Sequence, residues 1–345
     1  MNRDSYNCCH VCPRECGVNR IEGKRGICKA PATLKIGRAA LHWWEEPCLV
    51  GDKGSGAVFF AYCPLGCVYC QNQDLVTGAG IEVSEAQFEQ TLLRLQNEEH
   101  AANINLVTPS HYVPTIAKVL TRLRCHSFGH FSSANGSCNG DSCNGDSCES
   151  GNKSDSYASS CNPKSLYIPV VYNTSSYDSV DTLRLLRGLV DIYLADYKYA
   201  TPEIAARLSH ASDYPRVALA ALDEMVKQIG AWREDSSGLL QEGIIVRHLV
   251  LPGYIEESFK VLDVLHERYG NAIRFSIMNQ YTPLRSDLAK YGLKGSVSVQ
   301  DYERVLDYAD SLGIEDYFWQ EGGAATESFI PSFDGTGVCT DACGD

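Results

Sequence analysis

The sequence predicts an α/β fold, a partial (β/α)6 barrel preceded by a cysteine-rich, metal-binding extension. Three observations carry this expectation. Six short apolar runs alternate with stretches of helical periodicity from Ala57 to Gly313, and strands separated by helices pair in parallel through right-handed crossovers. The 345 residues, 44% of them hydrophobic, suffice for one barrel-sized core with additions. The cysteines are clustered, with tight groups ahead of the first run and at its end. Six units are too few for a closed eight-fold barrel, and an open doubly wound sheet fits the same pattern.

Ala57–Tyr62 (AVFFAY) reads as the first strand, apolar on both faces as a buried parallel strand must be. Ser84 opens a helix, with Gln87 completing a capping box and Phe88, Leu92 and Leu95 on one face. Ile104–Val107 is the second strand, followed by a helix over about Val113–Leu123. Leu166–Tyr172 and Leu189–Ala195 are the third and fourth strands, with a helix at Val180–Arg187 between them that Gly188 stops. A helix from Pro215 to Gly230, a strand at Ile244–Leu251 and a helix at Ser258–Tyr269 follow. Ile273–Met278 is the sixth strand, and Ser298 caps a last helix that closes at Gly313.

Two regions stand outside this order. Residues 1–48 form the cysteine-rich extension ahead of a core at 49–345; within 1–44, eight Lys/Arg against three acids give a net +5. Residues 125–163 are rich in Ser, Asn, Gly and Asp, contain the repeat NGDSCNGDSC and hold few large apolar residues, so a disordered insertion is expected there. The whole chain is acidic, at −13, which argues against broad nucleic-acid binding. No apolar run approaches the ~20 residues of a membrane span. Met1–His10 is polar and lacks the apolar segment of a secretory signal. Sixteen cysteines in 345 residues fall below the density of a disulfide scaffold, and without an export signal their clusters read as metal ligands in a reducing, cytoplasmic setting.

The motif with most chemistry is Cys63-x3-Cys67-x2-Cys70, which begins where the first strand ends. The C-terminal ends of barrel strands carry active sites. Chance gives roughly 0.03 such matches at this cysteine frequency. Three thiolates on a four-iron cluster leave one iron open to a substrate or cofactor, whereas electron-transfer clusters use four. A zinc site, or a cluster completed by a cysteine from elsewhere, is the alternative.

Gly54-Ser-Gly-Ala-Val-Phe-Phe-Ala-Tyr-Cys63, Tyr69 before the last cysteine, and Cys70-Gln-Asn72 resemble the radical S-adenosylmethionine (SAM) core. A closer resemblance is to pyruvate formate-lyase activating enzyme-like proteins with a cysteine-rich N-terminus. It is carried also by Cys9-His-Val-Cys-Pro-Arg-Glu-Cys16-Gly, Leu106–Tyr112, Asp191–Lys198, Val246–Gly253 and Gln280–Pro283. The resemblance implies a [4Fe–4S] cluster on Cys63, Cys67 and Cys70, SAM on its open iron, and a 5′-deoxyadenosyl radical that abstracts hydrogen. It implies an oxidoreductase of activating-enzyme type, with a glycine of a partner protein as one candidate substrate. Another protein or a small molecule is the other. The cofactor would carry the hard chemistry.

Where activating enzymes have Gly-Gly-Glu after the second strand, this chain has Thr108-Pro-Ser-His111, so Thr108 or His111 is expected to make the polar SAM contact. His111 equally fits a structural role. Asp196-x-Lys198 resembles the pair that holds SAM, and Asn173, Thr174 and Arg247 are further candidates. Arg247 also fits a buried ion pair. Cys9-x2-Cys12-x3-Cys16-x11-Cys28 supplies four soft ligands, enough for a zinc ion or a second iron–sulfur cluster. The basic flank suits an acidic electron donor such as a flavodoxin or ferredoxin. A non-catalytic iron–sulfur or zinc-binding scaffold is the rival reading.

Overall fold

The computed structural model describes residues 3–125, 164–314, 316–320 and 330–340. Among the described residues ten strands run in chain order: β1 (Leu34–His42), β2 (Ser55–Phe60), β3 (Ile81–Val83), β4 (Ile104–Val107), β5 (Val170–Thr174), β6 (Ile192–Asp196), β7 (Arg233–Glu234), β8 (Leu240–Leu249), β9 (Arg274–Met278) and β10 (Tyr317–Trp319). The sheet order is β10-β9-β8-β6-β5-β4-β2-β1-β3, with β7 added antiparallel to β8. From β2 to β10 every neighbouring pair is parallel. β1 and β3 extend the sheet antiparallel.

This order decides between the two architectures. The parallel strands follow one another in chain sequence without reversal. Right-handed crossovers that always step the same way put every crossover helix on one face, as in a barrel; a doubly wound sheet needs a reversal. The helices α3 (Glu85–Asn97), α4 (Val113–Cys125), α5 (Val180–Arg184), α7 (Tyr214–Gln228), α8 (Ile255–Tyr269) and α9 (Val299–Ser311) accordingly pack on neighbours in series, α3 on α4, α5 on α7 and α8 on α9. Three shorter helices complete the set: α1 (Pro47–Val50), α2 (Gln73–Thr77) and α6 (Pro202–Ser209).

All six expected strands are present; the second spans Ile104–Val107 as expected, and the other five have shifted ends. The third begins at Val170 rather than Leu166 because the backbone N–H groups of Tyr167 and Ile168 donate to the Gln96 side chain instead of a ladder. The first stops before Tyr62, whose φ of 73° is left-handed. The Ser84–Gln87 capping box and the Ser298 cap are both formed. Strands β1, β3, β7 and β10 were not expected. Residues 34–42, inside the expected 1–48 extension, pair directly with β2. The expected insertion, beyond the end of α4 at Cys125, lies outside the described residues.

Side chains alternate across the sheet. Val58, Phe60, Leu106, Tyr172, Tyr193 and Val246 point into the large core under the helices. The opposite set is split along its length. Near the strand starts, Val171, Ile192, Leu194 and Ile245 pack against Cys48 and Leu49 of α1. Toward the strand ends the same face turns polar, at Asn173, Asp196, Arg247 and Ser276. That apolar floor and polar top place the site.

Candidate active site at the strand ends

A cavity of about 200 Å³ opens over the C-terminal ends of β4, β5, β6, β8 and β9. Cys63, Cys67 and Cys70 all line it, beside Thr108, Asn173, Thr174, Asp196, Lys198 and Arg247. With the thiol loop that follows β2, six consecutive strand ends border this one space. Nine of the ten candidates singled out by position along strand ends thus meet; His111 does not.

The thiol loop is held on several sides. Tyr62, left-handed, donates its N–H to the Leu75 carbonyl at 2.6 Å, and Gly66 (φ 66°) supplies a second left-handed turn. The Val68 N–H reaches the Leu208 carbonyl at 2.9 Å. Ser209, the last residue of α6, donates its hydroxyl to the Cys67 sulfur at 2.9 Å. Behind it Tyr199 bonds both Ser209 and Tyr69 at 2.7 Å. Burial, with the neighbouring Cys67, pushes Cys63 up to about 11, and burial with Cys67 and Cys63 pushes Cys70 up to about 12. Thiolates here need a positive partner such as a metal. Among the described residues, no three His, Cys, Asp or Glu side chains are grouped to hold a single metal ion.

Opposite the thiols, every nitrogen of Arg247 makes a hydrogen bond. Its Nε donates to Asp196 at 2.9 Å, Nη1 to Glu45 at 3.0 Å and Nη2 to the Asn173 side-chain oxygen at 2.6 Å. Lys198 donates to the other Asp196 oxygen at 2.6 Å. Burial raises Asp196, but Lys198 and Arg247 outweigh it and hold the carboxyl below its ordinary value. Lys198 is conversely raised: burial opposes its charge, and Asp196 and Cys67 favour it more. The result is a charged wall whose members are paired before any ligand arrives.

Glu45 is the site residue that sequence reasoning missed. Its carboxylate is buried, takes bonds from Arg247, Asn105 and Asn173, and enters from the segment before β2. Two adjacent acids in Trp43-Trp-Glu-Glu-Pro47, directly after the basic 1–44 stretch, were the signal available. His111 is placed elsewhere. Its Nε2–H donates to the Ala61 carbonyl at 2.8 Å, its Nδ1 has no partner, and burial, with Arg20 nearby, lowers it to about 3. It is a neutral brace under the end of β2.

The N-terminal cysteines form a second cluster. Cys9, Cys12 and Cys28 are buried and Cys16 half-buried. Burial pushes Cys12 up to about 12, with Cys28, Cys9 and Cys16 adding to the rise, so the four thiols lie within electrostatic reach. Gly26 is required here, since a Cβ would stand 2.7 Å from the Cys16 sulfur. The segment is bolted to the barrel. Arg20, buried, donates to the His111 carbonyl at 2.7 Å and lies over the rings of Tyr6 and Tyr112. Arg14 donates to the carbonyls of Pro64, in the thiol loop, at 2.9 Å and of His210 at 2.7 Å.

Fold and site together define an open (β/α) barrel protein with a three-thiol, charge-walled cavity at its strand ends. Among known proteins, the chain is 26% identical to an uncharacterized protein of Methanocaldococcus jannaschii, MJ0674, over 314 residues, 91% of this chain and 77% of that one. No family model matches. Among solved structures, SuiB of Streptococcus suis bound to its precursor peptide SuiA aligns with a TM-score of 0.46 and 11% identity, over 76% of this chain and 47% of that chain. A radical SAM methyltransferase from Sphaerobacter thermophilus aligns with a TM-score of 0.44 and 13% identity, over 79% and 69%. The chain therefore spans about half the length of the SuiB chain. No helix among the described residues is long and apolar enough to cross a membrane.

Proposed function

We propose that the chain is a radical SAM enzyme, holding a [4Fe–4S] cluster on Cys63, Cys67 and Cys70 and SAM in the cavity beside it. The observation that carries this reading is the meeting of three thiols from one strand-end loop with Asp196, Lys198, Arg247, Asn173 and Thr108 around one space. The residues fit the group. Each thiol of a four-iron cluster binds a different iron, so the three need not converge on a single ion, and the Ser209 hydroxyl already donates to one sulfur. When bound, the cluster and SAM supply one-electron cleavage of the sulfonium and hydrogen abstraction from a C–H bond.

The protein's own residues bind, orient and insulate. Lys198, with one ammonium hydrogen bond spent on Asp196, keeps donors for the carboxylate of SAM. Thr108, held left-handed at φ 59°, offers its hydroxyl, and Asn173 and Thr174 line the neighbouring strand end. Arg247 positions Asp196 and Asn173. The Tyr69–Tyr199–Ser209 chain, buried throughout, keeps water from the back of Cys67.

The resemblance to activating enzymes supports a C–H bond of a partner protein, a glycine among them, as the substrate. Residues 1–48 are proposed to hold a second centre, zinc or iron–sulfur, on Cys9, Cys12, Cys16 and Cys28. The basic extension suits a flavodoxin or ferredoxin as electron donor, and the described cysteines, all free thiols, suit a reducing cytoplasm. The test is anaerobic reconstitution, reduction and incubation with SAM, followed by chromatography for 5′-deoxyadenosine. Its appearance is expected. Its absence from protein that carries the full complement of iron would leave a metal-binding scaffold instead.

A further inference from the structure

We infer that a recess adjoining the thiol cavity receives an alkylammonium group of the substrate. This rests on the radical SAM reading only for calling that molecule a substrate. The recess, about 100 Å³, lies between the loop that enters α1 and the ends of β9 and β10. It shares Arg247, Met278 and Gln280 with the thiol cavity, so the two spaces adjoin across those side chains.

Three features specify the ligand. Glu46 lines the recess, is only 7% exposed, and its Oε2 has no hydrogen-bond partner. A buried acceptor without a donor is costly, and native proteins keep few of them. Arg247 does not meet the need: its hydrogen bonds go to Asp196, Glu45 and Asn173, and none reaches the Glu46 Oε2. The charge count agrees. Asp196 and Glu45 are matched by Lys198 and Arg247, whereas Glu46 has no ion pair among the described residues. Burial pushes the Glu46 carboxyl up against the pull of Arg247, and an incoming cation would restore its ionised form.

The third feature is aromatic. Trp44, Phe318 and Trp319 line the same recess, and the two tryptophans remain more than half exposed. Indole faces attract cations, and a carboxylate behind an aromatic rim is the usual recognition chemistry for an ammonium group. An anionic group would meet Glu45 and Glu46. A purely apolar one would leave the Glu46 oxygen without a donor.

The full chain, anaerobically reconstituted, is titrated by calorimetry and tryptophan fluorescence with three probes: Nα-acetyl-lysine methylamide, its neutral isostere Nα-acetyl-norleucine methylamide, and n-butylammonium. Saturable binding of an amine, at least about tenfold tighter than the norleucine probe, is expected, as loss of one buried charge contact implies. Tighter binding of the lysine probe than of butylammonium marks a protein lysine as the source; the reverse marks a small amine. Glu46→Gln should weaken amine binding by about tenfold and Trp319→Ala, at an exposed position that folding tolerates, by roughly two- to fivefold. Equal binding of the lysine and norleucine probes, no saturable amine binding, or full affinity in both variants overturns the inference. Deoxyadenosine formation by the same wild-type preparation is scored separately. Its absence with amine binding intact sinks the radical reading and leaves the recess standing.

Discussion

The same residue type appears in two settings in this chain, and the settings differ in what faces the sulfur. Cys63, Cys67 and Cys70 sit on a strand-end loop and look across a cavity at Lys198, Asp196 and Arg247. Cys9, Cys12, Cys16 and Cys28 are folded under their own segment, pinned by Arg20 and Tyr6 against α4, and none of them reaches that charged wall. Three thiols leave room for a ligand and four do not. The environment repeats that distinction: the triad lines an open cavity, whereas three of the quartet are buried. The two meet at a seam, where Cys28 and Cys63 line one cleft and Arg14 holds the Pro64 carbonyl.

The largest effect is expected at the triad. Replacing Cys63, Cys67 or Cys70 by Ala should bring deoxyadenosine formation to background, and full turnover by any one variant ends its role as a ligand set. Next comes the wall. Arg247→Met strands Glu45 and Asp196 in a buried site and should cost about 3–5 kcal/mol of stability by denaturant unfolding. A loss under about 1 kcal/mol would mean the pair behaves as if exposed.

The quartet gives the contrasting result. The Cys12→Ala, Cys16→Ala double variant should lose one metal centre by zinc and iron analysis yet keep a cluster whose spectrum responds to SAM. The opposite pattern, with a triad variant retaining the SAM response, would exchange the two assignments. At the seam, His111 supplies a pH signature. Its folded value of about 3 lies below its ordinary 6.5, so the unfolded chain binds more protons under acid conditions. Its contribution is whole above pH 6.5 and is lost as pH falls toward 3. Between pH 6.5 and 5 wild type should lose about 2 kcal/mol relative to His111→Gln. A gap that does not change with pH would show that His111 is not held neutral. The smallest effect is Ser209→Ala. Removing a donor from the Cys67 sulfur should lower the cluster's midpoint potential on the order of 50 mV, against 59 mV for a tenfold change in a one-electron couple. An unchanged potential would make that hydrogen bond incidental.

What the sequence made legible followed strand order. Parallel strands buried on both faces read as plain apolar runs, so β2, β4, β5, β6, β8 and β9 were visible, and residues just past them were natural candidates. Asp196, Lys198, Arg247, Asn173 and Thr108 were reachable on that basis. His111 was equally close to a strand end but turned inward, since one more residue of 3-10 turn carries its ring under β2. Glu45 and Glu46 were invisible to the same logic because they come from the loop before the first parallel strand. Ser209 escaped because α6 spans only Pro202–Ser209, too short for a clear helical period. The strands β3 and β10 are three residues each, below what alternation can signal.

The one-directional winding of the sheet has a consequence for how the chain tolerates change. Along the parallel strands β4, β5, β6, β8 and β9, each loop that leaves a strand opens toward the cavity, and each connection that enters one opens at the far rim. The N–H of Leu166 donates to the Leu123 carbonyl at the end of α4, so the stretch 126–163 joins the barrel at that far rim. A change of length at that rim lies away from the cavity, while a single insertion between β2 and α2 would fall among the thiols. The two rims of one barrel thus differ in what a change of length would meet, and the long Ser/Asn/Gly stretch is joined to the rim away from the thiols.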